Sequence, residues 1–302
     1  MYKVVCKVIP LIIASILVKS SMAQTPAART MWPEDRRNAE VSKYRGSAWT
    51  RPRISKGFNL YSETKERKLG RKLASEFEHS VTILNDEILN AYLAGVVGNL
   101  ATHSDSKRPF TVKLVVDETI QAYSLPGEHL YVTTGLLLAC TNEAEFAGAL
   151  GHEMAHVVER HGTRQLTRKI VLSSVLAPAF LFVGDRAVVD LSVAFGPLSL
   201  NRSGRTFEHE ADAAGIHYVY FAGYDPHAFV ELLQRIAIQF PDKHSSLMEQ
   251  FRNHPRIPSR LKRLRKEISM LPTENDYSIV DSSDFQDIKS RLAVALEADS
   301  SE

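Results

Sequence analysis

Cysteine is almost missing from this 302-residue chain, which holds only Cys6 and Cys140. Cys6 falls in a segment that is patterned for removal, so the mature chain would keep one thiol and form no internal disulfide. Any metal site must then use His and carboxylates. Cys140, with nothing nearby to favour a thiolate, is expected to be a small packed core residue. Glycine and proline, at 15 and 13 residues, are too few for a collagen-like or low-complexity chain, while 44% hydrophobic and 24% charged residues suit a folded one. An excess of one charge is lacking too. Setting Lys3, Lys7 and Lys19 aside leaves 34 of the 37 basic residues against 35 acidic ones, a net charge of −1. No global field then favours nucleic acid. Neither a repeat of 20 to 50 residues nor an apolar run of membrane-spanning length is present.

The first 23 residues have the pattern of a secretory signal. Met1 to Lys7 is short and positive, Val8 to Val18 is apolar apart from Ser15, and Ser21-Met22-Ala23 offers small residues for cleavage. An apolar core of about 11 residues is too short to span a bilayer. A cleaved signal predicts a periplasmic or secreted product. Residues 24–57 carry eight Lys or Arg, three acidic residues and three Pro with few clustered apolar side chains, the composition of a flexible basic arm.

Helical spacing then predicts helices over Ser62 to Phe77 and Asp86 to Leu100. The period changes at Phe110 to Val116, followed by Ile120 to Leu125 and, after a Pro126-Gly127 turn, His129 to Thr133. Three short, closely connected strands predict a small antiparallel meander. Asn142, with Glu145 three residues on, marks the start of a helix running to about His161. An apolar stretch from Arg168 to Leu200 is broken by Pro178, Gly184 and Gly196-Pro197; it is a lid over the site, a contact for a membrane protein, or ordinary core helix. Further helices are expected at Thr206 to Ala222, Pro226 to about Phe240, around Leu261 to Ile268, and over 283–297. In the third of these, Arg260, Lys262, Arg263, Arg265 and Lys266 are read as a solvated basic face, with an anionic lipid surface as the other reading. The domain plan is a core of residues 58–270 with a short C-terminal extension over 271–302.

His152-Glu153-Met154-Ala155-His156 lies inside the segment assigned as helix on other grounds. Residues i and i+4 share a helix face, so the two imidazoles can converge on one metal ion. Glu153, turned about 100° from His152, stays off the ion yet can reach a water beside it. Zinc would lower that water's pKa and polarise a substrate carbonyl, and Glu153 would move the proton to the departing amine. A hydrolytic zinc needs a third protein ligand. His161 sits about 180° round the same helix and Glu159 rises about 10 Å from His152, so neither serves. The better donor is Glu208, with Asp212 one turn further along the same face, able to accept a hydrogen bond from His152. Glu210 points about 200° away from Glu208 and suits the site less.

The order of these motifs resembles the M48 peptidases, gluzincin metalloproteases that include CAAX prenyl proteases, a bacterial heat-shock protease and periplasmic quality-control members. The likeness runs from about Ser62 to Leu264. It is carried by Gln121 to Gly127, Leu130 to Thr133, Gly135-Leu136-Leu137, Asn142 to Glu145, Gly151 to His156, Glu208 to Asp212, Ala222 to Pro226 and His254-Pro255. Gln121 stands where the family usually has Asn, and Gly204 where Ser usually precedes Arg205. The resemblance implies a mainly helical α+β, zincin-like fold with the β-meander beside the active-site helix. It implies one Zn²⁺ per chain held by His152, His156 and Glu208, with Glu153 as catalytic base and Asp212 behind the ligands. His254 would lie near the cleft as a catalytic or regulatory imidazole, or serve as a simple loop residue. Ala122, Tyr123, Ser124 and Leu125 are the candidate sheet edge on which a peptide substrate would add as a strand. The implied substrates are unfolded or misassembled envelope proteins, with association to a membrane protein or membrane surface left open. The competing reading is a chaperone-like module that keeps the zinc fold and holds clients without cutting them.

Overall fold

The computed structural model describes residues 57–182, 204–239, 257–272 and 279–299. The expected signal segment, almost all of the basic arm, the second half of the apolar stretch and His254 lie outside them.

The chain enters through α1 (Glu63–Ser80), whose N-cap Ser62 accepts from the Lys65 N–H, and α2 (Glu87–Thr102), capped by Asp86. Between them runs a two-residue strand, β1 (Ile83–Leu84), which the sequence reading missed. Three strands follow: β2 (Thr111–Val115), β3 (Ala122–Leu125) and β4 (His129–Thr133). The strand segments stand near where the periodicity put them, but they do not form an antiparallel meander. The sheet order is β1-β2-β4-β3, with β4 parallel to β2 and antiparallel to β3.

Burial explains the correction. In β4, Leu130, Tyr131, Val132 and Thr133 are all buried, whereas β3 is half-buried along its length. The strand that is apolar on both faces takes the centre, and the other goes to the edge. Gly127 and Glu128, with φ of 84° and 66°, make the left-handed turn that reverses the chain between them. Alternation then splits the side chains. Leu114, Leu130 and Val132 join the main core, while Val115 and Tyr131 join Ala74 of α1, with the Phe77 ring against Tyr131 at 4.6 Å. The sheet is thus covered by α1 on one face and by the remaining helices on the other.

Those helices are α3 (Thr134–Ala139), α4 (Glu143–Val158), α5 (His161–Phe182), α6 (residues 204–221), α7 (His227–Gln239), α8 (Ile257–Ser269) and α9 (Ser283–Asp299). α5 continues through Pro178, since one missing N–H removes a single bond from a 22-residue helix. α4 crosses the core with twelve buried residues. Its N-terminus is capped by Asn142, whose Oδ1 accepts from the Glu145 N–H at 2.9 Å, and held by Val280 O, which accepts from Ala144 N–H at 3.0 Å. No helix among the described residues is long and apolar enough to cross a membrane.

Candidate metal centre

Two glycines decide where α6 meets α4. A Cβ on Gly215 would lie 2.9 Å from the His152 nitrogen, and one on Gly151 would lie 3.2 Å from the Gly215 carbonyl oxygen. With neither present, the helices touch backbone to backbone at His152. Two turns earlier on α6, Glu208 is thereby brought beneath the two histidines of α4.

The three side chains converge. His152 Nε2 and His156 Nε2 are 3.1 Å apart, and the two Glu208 oxygens lie 3.5 and 3.4 Å from them. His152 and Glu208 are buried at 4% and 3% exposure, which puts the cluster at the floor of a cleft. Glu153 stands off this cluster, as its 100° offset requires, and accepts a 2.7 Å hydrogen bond on Oε2 from the Ser124 hydroxyl. All four residues of the candidate edge, Ala122, Tyr123, Ser124 and Leu125, form β3, which among the described residues pairs with β4 alone and ends the sheet beside Glu153.

Each imidazole is held from behind. His152 Nδ1 meets Asp212 Oδ1 at 3.0 Å, and Arg260 grips the same carboxylate with Nη2 at 2.7 Å and Nε at 3.0 Å. Burial would raise the Asp212 carboxyl, but Arg260 and His152 hold it well below the usual carboxylate range. Arg260 corrects the sequence reading. Lys262, Arg263, Arg265 and Lys266 are exposed as expected, whereas Arg260 is buried at 2%. Its spacing with Leu264 and Ile268, four and eight residues on, was the signal that it faces inward.

His161 is a second correction. α4 does not run to His161; it ends at Val158, and the chain turns at Arg160, with φ 58°, so that His161 opens α5. The turn swings the imidazole back onto the site, where its Nδ1 lies 3.0 Å from His156 Nδ1 and its Nε2 3.0 Å from Glu210 Oε2. Arg164 Nη1 holds that oxygen at 2.6 Å, and Phe207, one residue before Glu208, stacks on the His161 ring at 4.5 Å. Burial pushes the His161 imidazole down to about 4 against the upward pull of Glu210, so the ring is neutral near pH 7. Its Nε2–H donates to Glu210, leaving Nδ1 to accept from His156 Nδ1–H.

With Nδ1 of His152 turned to Asp212 and Nδ1 of His156 turned to His161, the two Nε2 atoms face each other and a carboxylate, the arrangement in which they would be free for a metal. Three electron-rich atoms so placed, mutually within 4.8 Å, fit a metal cation. The residues therefore suit the group that the donor pattern implies.

A helix-borne pair of imidazoles, an incoming carboxylate and a second carboxylate held aside define a metal-dependent hydrolase site on a zincin-like α+β frame. The chain belongs to peptidase family M48, whose model matches residues 87–268, and the enzyme class is that of a metallopeptidase. It is 27% identical over 237 residues to the beta-barrel assembly-enhancing protease of Escherichia coli (strain K12), covering 75% of this chain and 48% of that protein. The putative protease of the same name in Vibrio cholerae is 29% identical over 52% of this chain and 35% of its own length. The mitochondrial metalloendopeptidase OMA1 of Arabidopsis thaliana is 36% identical over 37% of this chain and 23% of its own. The chain thus spans half or less of the length of these relatives.

Proposed function

We propose that the chain is a zinc-dependent endopeptidase of the cell envelope that cuts unfolded or misassembled proteins, with His152, His156 and Glu208 as ligands and Glu153 as catalytic base. The observation that carries this reading is the pairing of Ser124 with Glu153 beside the three convergent donors. An edge strand that positions the base can also position a peptide. Bound between two imidazoles and a carboxylate, zinc supplies a Lewis acid that polarises a carbonyl and eases deprotonation of water.

The remaining work falls to side chains. A substrate segment laid along the outer edge of β3 pairs its backbone with Ala122 to Leu125 and passes Glu153 at the middle of the strand. Ser124 orients the carboxylate through Oε2. Glu153 accepts a proton from the attacking water and delivers it to the departing amine nitrogen. Asp212 fixes the tautomer of His152, and Arg260 keeps Asp212 ionised in a buried place. Envelope proteins as substrates, and export to the periplasm, are supported by the signal-like first 23 residues and by the name of the Escherichia coli relative.

The test is cleavage of a loosely folded protein such as casein by the purified mature form. Glu153→Gln should abolish turnover while bound zinc, measured by metal analysis, stays near one per chain; Glu208→Gln should lose the metal. Activity that survives Glu153→Gln, or client binding without cutting in the wild type, would discard the enzyme reading in favour of a holding module.

A further inference from the structure

α8 has two sides of opposite character. At about 100° of turn per residue, Ile257, Arg260, Leu264 and Ile268 share one side of the helix and are buried there. The exposed side chains of Ser259, Lys262, Arg263, Arg265, Lys266 and Ser269 fall within an arc of about 160° on the other side. Every charged group on that arc is a cation. Glu267, the one acid of the helix, stands at the border of the buried side and is itself half-buried.

Several surface cations elsewhere are drawn to acids, Lys72 to Glu76, Lys113 to Glu78 and Arg291 to Asp86. On α8 the ion pairs among the described residues are those of the buried Arg260 with Asp212 and Glu208, and the four outer cations have none. This concentration of charge sits on a chain with 37 basic and 35 acidic residues. Lys262 is three and four residues from Arg265 and Lys266, the spacing at which like charges repel, so an anionic partner from outside relieves the helix. The face is the convex outer side of a helix and offers charge rather than a pocket. Met270, one turn on from Lys266, adds an apolar tip at 45% exposure. Clustered cations with an apolar tip match a bilayer, which presents a plane of phosphate above an apolar layer. The signal-like first 23 residues argue for a compartment bounded by bilayers rather than one holding nucleic acid.

We propose that the outer face of α8 docks the protein on an anionic phospholipid surface, with Lys262, Arg263, Arg265 and Lys266 on the phosphate groups and Met270 at the level of the headgroups. The same helix turns Arg260 inward to Asp212 and, through it, to His152. A bilayer against the outer side therefore lies about one helix diameter, ~10 to 12 Å, from the partner of a metal ligand. A chain caught at the membrane surface reaches the cleft without leaving that surface. The docking face stands whether or not such a chain is cut.

The experiment is co-sedimentation of the purified mature chain with vesicles of phosphatidylcholine alone and of phosphatidylcholine and phosphatidylglycerol in equal parts. Each cation near an anionic surface contributes about fivefold in partition, so the mixed vesicles should be preferred by about a hundredfold or more. The preference should vanish at about 1 M salt, where charges are screened beyond about 3 Å. Replacing Lys262, Arg263, Arg265 and Lys266 together by Gln should weaken binding to the mixed vesicles by about a hundredfold, and the pair Lys262→Gln and Lys266→Gln by about 25-fold. Casein cleavage without lipid and the melting temperature should stay as in the wild type. The basic residues of the arm are kept in every protein, so the differences report α8 alone. Equal partition of the wild type into the two kinds of vesicle overturns the docking face, as does undiminished binding by either folded variant. Tighter binding to soluble polyglutamate than to the mixed vesicles at equal charge also overturns it, and makes the occupant an acidic protein.

Discussion

At the scale of single residues, the site is two imidazoles each gripped by a different device. Asp212 with Arg260 holds one; His161 with Glu210 and Arg164 holds the other. Partners behind a ligand typically contribute about 10- to 100-fold in metal affinity. His161→Ala should therefore weaken zinc retention by that order in competition with a chromophoric chelator, even in protein that remains folded. Unchanged affinity with a lowered melting temperature would reduce His161 to packing. Arg260→Met should do more harm, because the Asp212 charge would stay buried without its partner; a loss of about 3 to 5 kcal/mol in denaturant unfolding is expected. Cys140 is fully buried, and burial pushes its thiol up. It should resist iodoacetamide in the native protein and react on unfolding.

At the scale of elements, the close crossing of α4 and α6 sets the ligand geometry. Gly215→Ala would place a methyl 2.9 to 3.0 Å from the backbone of Gly151 and His152, so the helices must part. Overpacking of this kind costs about 1 to 3 kcal/mol, and because Glu208 moves with α6, zinc affinity should fall together with stability. A drop in stability alone would show that the crossing and the metal site are uncoupled. Asp86 offers a test at the other end of the core. It caps α2 and is held below its ordinary pKa, first by the hydrogen bonds from Arg291 of α9 and then by the Leu89 N–H. A depressed carboxyl gives stability that is full above its unfolded pKa and is lost as pH falls through the folded value. Asp86→Asn should flatten the acid limb of the melting-temperature profile while leaving most of the cap intact.

At the scale of the whole molecule, a metal between His152, His156 and Glu208 would act as a clasp on segments 52 residues apart in the chain. A cation that binds the native form alone stabilises it by mass action, about 2.7 kcal/mol at a hundredfold excess over Kd. Removing zinc with a chelator should lower the melting temperature of the wild type and leave Glu208→Gln unmoved. The mixed sheet adds a second global constraint. Because β4 takes an inner place, β3 is left at the edge beside Glu153, where the proposed substrate strand would pair with Ala122 to Leu125.

The local periods along the chain determined most of the helices, the strand segments, the two histidines on one face of α4 and the aside position of Glu153, since spacing on a helix dictates angle. Glu208 and Asp212 were legible for the same reason, as a pair one turn apart. Tertiary structure alone decided the strand order and the return of His161 to the site. Strand order depends on which strand is buried on both faces, and a chain reversal such as that at Arg160 undoes any angle counted through it. Neither quantity exists until distant segments are packed together.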